Sequence, residues 1–407
     1  MTDAALSDLR VVELSDFVSG PYCCKIMADM GADVVKIEPP GVGDSSRRYG
    51  PFPGDTPHPE KSLLYAYLNT SKKGITLDVT TSLGKKIFLQ LIQDADILVE
   101  NNPPQRMADL GLDYNSLKAV NPRLIVTSIT SFGQTGPYRD YKATDLVSMA
   151  MGGVAYATPG EVENWEERPP LKAPGHSGDF LAALTGASGT MMAITARRFS
   201  GTGQHVDVSE QQSLSVIMRS DIINHVHKSE TPSRIASMAR RVGTRRPLKC
   251  KDGYFSIQLF MEHFWESMKR VMDYPDWAEL EIFADRTQRR DNLDALFSLV
   301  EDWASQYTRA ELYQLLQVEN HIPCTMVNAV HELYPNAHLE DRGFFIEMEH
   351  PVIGKFKAPG SPHRFSESPW ALQSPAPTLG QHNREVLCER LGYSKEDLLK
   401  MQGMGVI

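Results

Sequence analysis

Short apolar segments alternate with amphipathic segments along the first third of the chain. Four of the apolar segments are compact and rich in β-branched side chains, which is typical of buried strands: residues 9–15, 32–38, 96–100 and 122–129. Helical patterns lie between them, and strands and helices in this alternation predict a parallel, Rossmann-like α/β sheet. Ligands bind such sheets beyond the carboxyl ends of the strands, which here are followed by residues 16–20, 39–48, 101–106 and 131–142.

The composition of the chain changes after residue 218. From there to about residue 319 the chain is richer in charged and aromatic side chains. Strand-and-turn composition returns near residue 322, and a helical pattern follows Gly380. We therefore predict a large domain whose first part is residues 1–218, a smaller α+β domain over 219–330, and a C-terminal segment, 331–407, that completes the large domain.

Charge and cysteine content exclude several classes of protein. The 407 residues carry a formal net charge of −9, which opposes general nucleic-acid binding. Apolar runs are too short to span a bilayer and the N-terminus lacks the pattern of a secretory signal, so we expect no membrane association and a cytoplasmic location. The five cysteines are scattered, which is typical of free thiols in a reducing compartment. Neither they nor the histidines have convincing metal-ligand spacing, so no metal site is predicted.

One aspartate lies at the junction of a loop and a long helical run. Asp179 follows Gly178 and precedes residues 180–198, whose many Ala, Gly, Ser and Thr side chains predict a helix that packs closely against a neighbour. At the start of a helix the unpaired N–H groups and the macrodipole favour a negative charge. We therefore expect the carboxylate to be ionised at neutral pH, as a nucleophile requires. The alternative is that Asp179 only caps the helix, which is the more common role of such an aspartate.

The chain as a whole resembles the class III CoA-transferases, the CaiB/BaiF or formyl-CoA transferase family. The order and spacing of its motifs carry the resemblance, and they lie at residues 9–14, 19–22, 28–38, 74–78, 99–101, 110–113, 132–137, 178–179, 203–209, 251–254 and 379–382. The resemblance implies interlocked, ring-like dimers in which the C-terminal segment completes the Rossmann-like domain. It also implies acyl-CoA and a free carboxylic acid as substrates, with no tightly bound cofactor.

What the resemblance implies for Asp179 is a nucleophilic role. The carboxylate attacks the donor thioester to give a mixed anhydride, the released CoA thiolate forms an aspartyl-CoA thioester, and the acceptor carboxylate attacks that thioester. Asp145 matches an acidic residue close to the family's nucleophile. Backbone N–H groups at the helix start are expected to serve the developing oxyanions.

Positions that match the family's CoA-binding residues are of mixed chemistry: Val18, Ser19, Lys72 or Lys73, Asn101 and Lys142. The chain departs from the family at residues 100–105, where an Asn-Asn-Pro-Pro sequence replaces the usual Asn-Phe-Arg-Pro. It also has Asp109 where the family has a basic residue, and we assign Arg106 as the substitute for that charge.

An arginine-rich segment bears on the substrate. Where some family members have a glycine-rich loop, this chain has four arginines: Arg240, Arg241, Arg245 and Arg246. Because a guanidinium binds both oxygens of a carboxylate, our hypothesis is that these arginines hold the second carboxylate of a dicarboxylic acid such as succinate. The alternative is that they contact CoA phosphates or an acidic face between domains.

Two other functions compete with CoA transfer. The α-methylacyl-CoA racemases share the fold and use a histidine that precedes an aspartate, but Thr144 stands in that place here, and threonine does not exchange a proton near pH 7. The other reading is a non-catalytic subunit of a heteromer, which the presence of Asp179 opposes. For the assembly itself two alternatives stay open: a homodimer with a second copy of this chain, or a complex with a paralogous subunit.

Overall fold

The computed structural model describes residues 4–158, 167–229, 246–259 and 261–407, which form two compact units. The first unit comprises residues 4–158, 170–229 and 343–407, and the second comprises 167–169, 246–259 and 261–342. This division differs from the predicted one at 218 and 330. Residues 331–342 belong to the second unit, where Glu332 pairs with Arg309 at 2.7 Å.

The first unit is built on a six-stranded parallel sheet, which confirms the predicted α/β class. Its strands are β1 (Arg10–Leu14), β2 (Asp33–Glu38), β3 (Lys72–Thr76), β4 (Ile97–Glu100), β5 (Ile125–Thr130) and β6 (His205–Ser209). The order is β3-β2-β1-β4-β5-β6, and every neighbouring pair is parallel. The direction of winding reverses between β1 and β4, so a ligand crevice is expected beyond the carboxyl ends of these two strands.

The described part of the first unit up to residue 229 contains ten α-helices. They are α1 (Ser19–Ala28), α2 (Leu63–Leu68), α3 (Ser82–Gln93), α4 (Pro104–Asp109), α5 (Tyr114–Val120), α6 (Asp145–Met151), α7 (Val154–Ala157), α8 (Ser177–Ser200), α9 (Glu210–Ile217) and α10 (Arg219–Lys228), with short 3-10 helices at Ser45–Arg48 and Pro53–Asp55. Within the described ranges no helix has the length and apolar character needed to cross a membrane.

Successive side chains of a strand point to opposite faces of the sheet, and helices bury both faces. One face contributes Val12, Val35, Leu98 and Val126 to a core formed with α3 and α5. The other contributes Val11, Val34, Ile97 and Ile125 to a core formed with α1 and α8. In α8 a Cβ on Gly186 would lie 2.7 Å from Ile129 Cδ1, so the small side chains of this helix permit its close approach to the sheet.

The second unit combines a three-stranded antiparallel sheet with helices. Its strands are β7 (Leu248–Cys250), β8 (Gly253–Ile257) and β9 (Cys324–Met326). Its helices are α11 (Glu262–Val271), α12 (Arg286–Asp291), α13 (Leu293–Ala304), α14 (Arg309–Leu312), α15 (Val330–Leu333) and α16 (Ala337–Asp341), with 3-10 helices at Asp276–Glu279 and Glu281–Phe283 and a π-helix at Tyr313–Glu319. The aromatic side chains Phe255, Trp265, Phe283 and Phe297 fill its separate core.

The C-terminal segment returns to the first unit. It contains the hairpin β10 (Phe345–His350) and β11 (Gly354–Pro359), a π-helix at Arg384–Arg390 and helix α17 (Lys395–Gly403). It covers the edge strand β3: His382 Nδ1 accepts from the N–H of Gly74 at 3.0 Å, and Asn383 Oδ1 accepts from the N–H of Thr76 at 2.8 Å. An edge strand presents unpaired N–H groups, and this segment satisfies two of them.

Candidate active site

Asp179 lies in the first turn of α8, which begins at Ser177 rather than at the predicted residue 180. His176, at the N-cap position, makes no capping hydrogen bond with its side chain. Asp145, the first residue of α6, supplies the cap instead. Its Oδ1 accepts from the N–H groups of Gly178 at 2.8 Å and Asp179 at 3.2 Å. Asp179 is therefore not the residue whose carboxylate caps the start of α8.

This capping corrects one expectation about the oxyanion. Backbone N–H groups at the start of this helix were expected to serve developing negative charge, but two of them, those of Gly178 and Asp179, donate to Asp145. The structure does bring Asp145 and Asp179 together, as the resemblance implied. Lys172 approaches the other oxygen of Asp145, with Nζ 2.5 Å from Oδ2.

A third carboxylate, Glu210, completes the cluster. Asp145, Asp179 and Glu210 each place a carboxylate oxygen within 4.8 Å of the others. Ser148 Oγ donates to Glu210 Oε2 at 2.8 Å. Such a spacing also occurs in cation sites, but the Lys172 ammonium already contacts Asp145, and we assign no metal ligand here. Sequence reasoning missed Glu210, although its position directly after β6 is a signal, since this is the ligand edge of a parallel sheet.

Gly178 makes the close approach of the carboxylates possible. A Cβ at this position would lie 2.8 Å from Asp145 Oδ1, 2.8 Å from Glu210 Oε1 and 3.3 Å from Leu214 Cδ1. Carbon and oxygen atoms that are not bonded do not approach so closely. Any larger residue here would have to displace two carboxylates at once.

The ionisation of Asp179 differs from the prediction. Burial, followed by the charges of Glu210 and Asp145, raises the pKa of Asp179 to about 8, and Lys172 offsets only part of this rise. Burial likewise raises the pKa of Glu210 to about 7. The expectation of a fully ionised Asp179 at neutral pH is therefore wrong for this structure. Its physical reason is that two further carboxylates and a low-polarity environment oppose the charge.

An aromatic wall stands beside Asp179. The rings of Phe17, Tyr49 and His176 contact one another edge to face, with centroids 4.8 to 5.3 Å apart. His176 Nδ1 lies 3.5 Å from Asp179 Oδ2. Burial lowers the pKa of His176 below its usual 6.5, so the imidazole is neutral at pH 7. The wall joins the loop after β1 to the start of α8 and shields the carboxylate, whose side chain is 14% exposed.

Three of the predicted CoA-binding residues lie beyond the carboxyl ends of β1 and β4. Val18 and Ser19 lie at the start of α1, and both are buried. Asn101 follows β4 and bonds to Asp16 and Ser19: its Nδ2 donates to Asp16 O at 2.7 Å and to Ser19 Oγ at 3.1 Å, and its Oδ1 accepts from Asp16 N at 2.8 Å. Asn101 therefore fixes the loop that carries Phe17 and Val18.

The predicted lysines do not join this group. Lys72 is a correction: its ammonium is buried and bonded to Glu13, Asn69 and the carbonyl of Pro21 at 2.8 to 2.9 Å. An ammonium has three protons, so Lys72 is a structural residue and not a CoA contact. Lys73 lies on β3, two strands from the crevice, and pairs with Asp33 and Glu385. Arg106 and Lys142 are exposed, on segments that follow β4 and β5.

The arginine-rich segment is described only at its end. Arg240, Arg241 and Arg245 lie outside the described residues. Arg246 belongs to the second unit, where its guanidinium donates to both carboxylate oxygens of Glu301, at 2.6 and 3.2 Å, and stacks on Phe297. Its fork already holds a protein carboxylate, so the structure does not place Arg246 as a substrate residue.

Fold and site together define an α/β protein with a buried carboxylate cluster beyond the ligand edge of a Rossmann-like sheet. The chain belongs to CoA-transferase family III, and the match to that family covers residues 6–383. The resemblance seen in the sequence is thereby confirmed, and the protein is a CoA-transferase.

Named relatives span the whole chain. A succinyl-CoA–D-citramalate CoA-transferase from Chloroflexus aurantiacus is 32% identical over 403 residues, which cover 99% of this chain and 98% of the relative. A formyl-CoA:oxalate CoA-transferase from Rhodopseudomonas palustris is 31% identical over 428 residues, which cover 99% of this chain and 97% of the relative. A solved CaiB/BaiF family protein from Brucella suis has a TM-score of 0.83 at 29% identity, covering 95% of this chain and 99% of that chain.

Proposed function

We propose that this CoA-transferase works through covalent intermediates on Asp179. The ionised carboxylate attacks the acyl carbon of the donor thioester, which gives an acyl–aspartyl anhydride and CoA thiolate. The thiolate attacks the aspartyl carbonyl, which releases the donor acid and leaves an aspartyl-CoA thioester. The acceptor carboxylate attacks this thioester, which releases the CoA thiolate again and forms a second anhydride. The thiolate then attacks the acceptor's carbonyl, which yields the new acyl-CoA and restores Asp179.

The observation that carries the proposal is the state of the Asp179 carboxylate. Its Oδ2 is buried and accepts no hydrogen bond from the described residues, while Asp145 does the capping. A desolvated carboxylate of raised pKa is a stronger nucleophile, once ionised, than a solvated one. The neighbouring aromatic wall limits access of water, which would hydrolyse an anhydride or a thioester.

Hydroxylamine provides a direct chemical test of these intermediates. When the enzyme is mixed with an acyl-CoA donor and then with hydroxylamine, the intermediates are expected to convert the Asp179 carboxyl to a hydroxamate. Mass spectrometry of the digested protein locates the modified peptide. Modification at another acidic residue, with none at Asp179, would contradict the proposal.

The racemase alternative has no support from the site. A paired acid and base must flank the substrate's α-carbon, which requires a gap between them. His176 lies in direct contact with Asp179 instead, and Thr144, exposed before α6, makes no capping hydrogen bond with its side chain.

For CoA we propose a path along the carboxyl edge of the sheet. Val18, Ser19 and Asn101 follow the carboxyl ends of β1 and β4, and we assign them to the thioester end of the molecule. Arg106 and Lys142, on the segments after β4 and β5, are the exposed cations assigned to the phosphates. CoA enters this scheme as part of the substrate, without a tightly bound cofactor.

For the acyl groups we propose at least one dicarboxylic acid. The names of both relatives contain one: succinyl and citramalate in the first, and oxalate in the second. We assign Arg240, Arg241 and Arg245 to the second carboxylate, since Arg246 is engaged with Glu301.

Single Arg→Ala changes at 240, 241 and 245 test this assignment. At least one of them is expected to raise KM for a dicarboxylate by about 10- to 100-fold, because a charged hydrogen bond contributes roughly 1.5–3 kcal/mol. The matched monocarboxylate is expected to be nearly unaffected. Arg246→Ala serves as the comparison that affects both substrates equally. An equal rise in KM for both substrate classes in all four variants would mean that the segment does not bind the second carboxylate.

We also propose that the chain assembles with a second copy, with a paralogous subunit as the alternative. The supporting observation is the exposed apolar surface of α10, where Ile222, Ile223 and Val226 are 48%, 55% and 68% exposed. Monomeric proteins rarely expose such neighbouring apolar side chains on one helix. Light scattering on the purified chain is expected to give about twice the 45.4 kDa monomer mass. A monomeric mass would contradict assembly with a second copy and indicate that a different partner chain is needed.

A further inference from the structure

Glu210 carries a carboxylate beside Asp179 without a complete set of partners. It is the first residue of α9 and only 5% exposed. Its Oε2 accepts from Ser148, but its Oε1 is buried and accepts no hydrogen bond from the described residues. A buried carboxylate oxygen without a donor is costly to the fold. The position of this oxygen against Gly178, in the same cluster as Asp179, indicates a role in the site.

The other charged groups around Asp179 are largely compensated. Asp145, on α6, is paired with Lys172, which precedes α8. His176 is uncharged at pH 7 because burial lowers its pKa. Among the described residues of the cluster, Glu210 on α9 is therefore the negative charge without a cationic partner.

We propose that Glu210 controls when Asp179 is charged. The two buried carboxyl groups lie close together, so a negative charge on Glu210 opposes ionisation of Asp179, and Asp179 ionises more readily when Glu210 is uncharged. Glu210 is a positioning residue in this sense, since it acts through Asp179 and not on the substrate. The inference rests on the proposed function, because it takes Asp179 as the nucleophile.

The sign of the resulting pH dependence follows from the shifted pKa of Asp179. Burial and the charge of Glu210 raise it from 3.8 to about 8, so between these values the folded chain binds the proton more tightly than the unfolded chain does. The stability of the fold therefore falls as pH rises through this window. The nucleophile gains its charge over the upper part of the same window, so kcat/KM rises with pH there.

Glu210→Gln removes the charge and keeps the shape. In the wild type, kcat/KM for the acyl-CoA donor is expected to rise with pH, and the midpoint of this rising limb of the pH profile should lie near pH 8. In Glu210→Gln the limb is expected to move down by about one to two pH units, the size of a charge interaction at this distance. The variant should then exceed the wild type on the acidic side. A lower kcat/KM at every pH with the limb in place would show a merely structural role and overturn the proposal.

Thermal stability gives a second readout that needs no catalysis. The Tm gain of Asp179→Asn over its parent is expected to grow as pH rises, and in the Glu210→Gln background this growth should end at a lower pH. Ser148→Ala is the matched variant: it removes the donor to Glu210 Oε2, so Glu210 holds its proton more firmly. Its shift should have the same direction, be smaller, and add nothing to Glu210→Gln.

The outcomes separate the two claims. If the limb and the stability curve both stay in place in the Glu210 and Ser148 variants, Glu210 does not control Asp179 and this inference fails. If Asp179→Asn keeps transferring CoA at the wild-type rate, the proposed function fails instead.

Discussion

Asp179→Asn is expected to lower kcat for CoA transfer by about 10⁴-fold or more, since removal of a covalent nucleophile leaves only binding and orientation. The amide has nearly the shape of the carboxyl group but cannot displace CoA from a thioester. The fold should not suffer, because the carboxyl is buried without a hydrogen bond on Oδ2 and its pKa is raised to about 8. Transfer rates with saturating substrates and thermal melting at pH 8 check both parts.

A matched control separates nucleophile from helix cap. Asp113 is a true N-cap: its Oδ1 accepts from the N–H groups of Asn115 and Ser116 at the start of α5. Asp113→Asn is expected to leave the transfer rate unchanged, since Asn is also a good N-cap. If the two variants behave alike, with both fully active, Asp179 has only a local structural role.

Gly178→Ala is expected to lower kcat by about 10²-fold, because the added methyl group displaces the carboxylates that it meets at 2.8 Å. It should also lower the free energy of unfolding by about 1–3 kcal/mol, the usual cost of overpacking. The loss of stability would run against the intrinsic helix propensity, which favours alanine over glycine by roughly 1 kcal/mol. Transfer kinetics and denaturant unfolding measure the two parts.

The comparison variant for this change is Gly403→Ala. Gly403 ends α17, and a Cβ there would meet no atom within 4 Å. This variant should be fully active and as stable as the wild type or slightly more so. An active and stable Gly178→Ala would mean that the carboxylates are not held in the close arrangement described.

The sheet was predictable where its strands are apolar on both faces. The predicted segments 9–15 and 96–100 correspond to β1 and β4 within one residue at each end. The sequence pattern does not predict β3, because Lys72 and Lys73 interrupt the apolar run. Lys72 is nevertheless buried, since Glu13 on β1 lies 2.8 Å away and compensates its charge. Only the folded sheet brings these two residues together.

The candidate site was predictable in its two aspartates but not in its electrostatics. The small residues after Asp179 and the family's motifs identify Asp179 and Asp145. The local sequence does not reveal that Asp145 caps α8, since the two residues are 34 positions apart. It also does not reveal that Glu210 reaches the same point from α9. The pKa of Asp179 is raised first by burial and then by the charges of Glu210 and Asp145, so the expected ionisation lacked both the burial and these two charges.

Transfer of oxygen from the acceptor acid to the enzyme tests the central claim most directly. Each turnover leaves one oxygen of the acceptor carboxylate on the nucleophile and sends one oxygen of the nucleophile out with the donor acid. After turnover with an acceptor labelled with heavy oxygen, the peptide that contains Asp179 should carry the label, and the released donor acid should acquire it in later turnovers. If CoA transfer proceeds while the Asp179 carboxyl stays unlabelled, Asp179 is not the nucleophile.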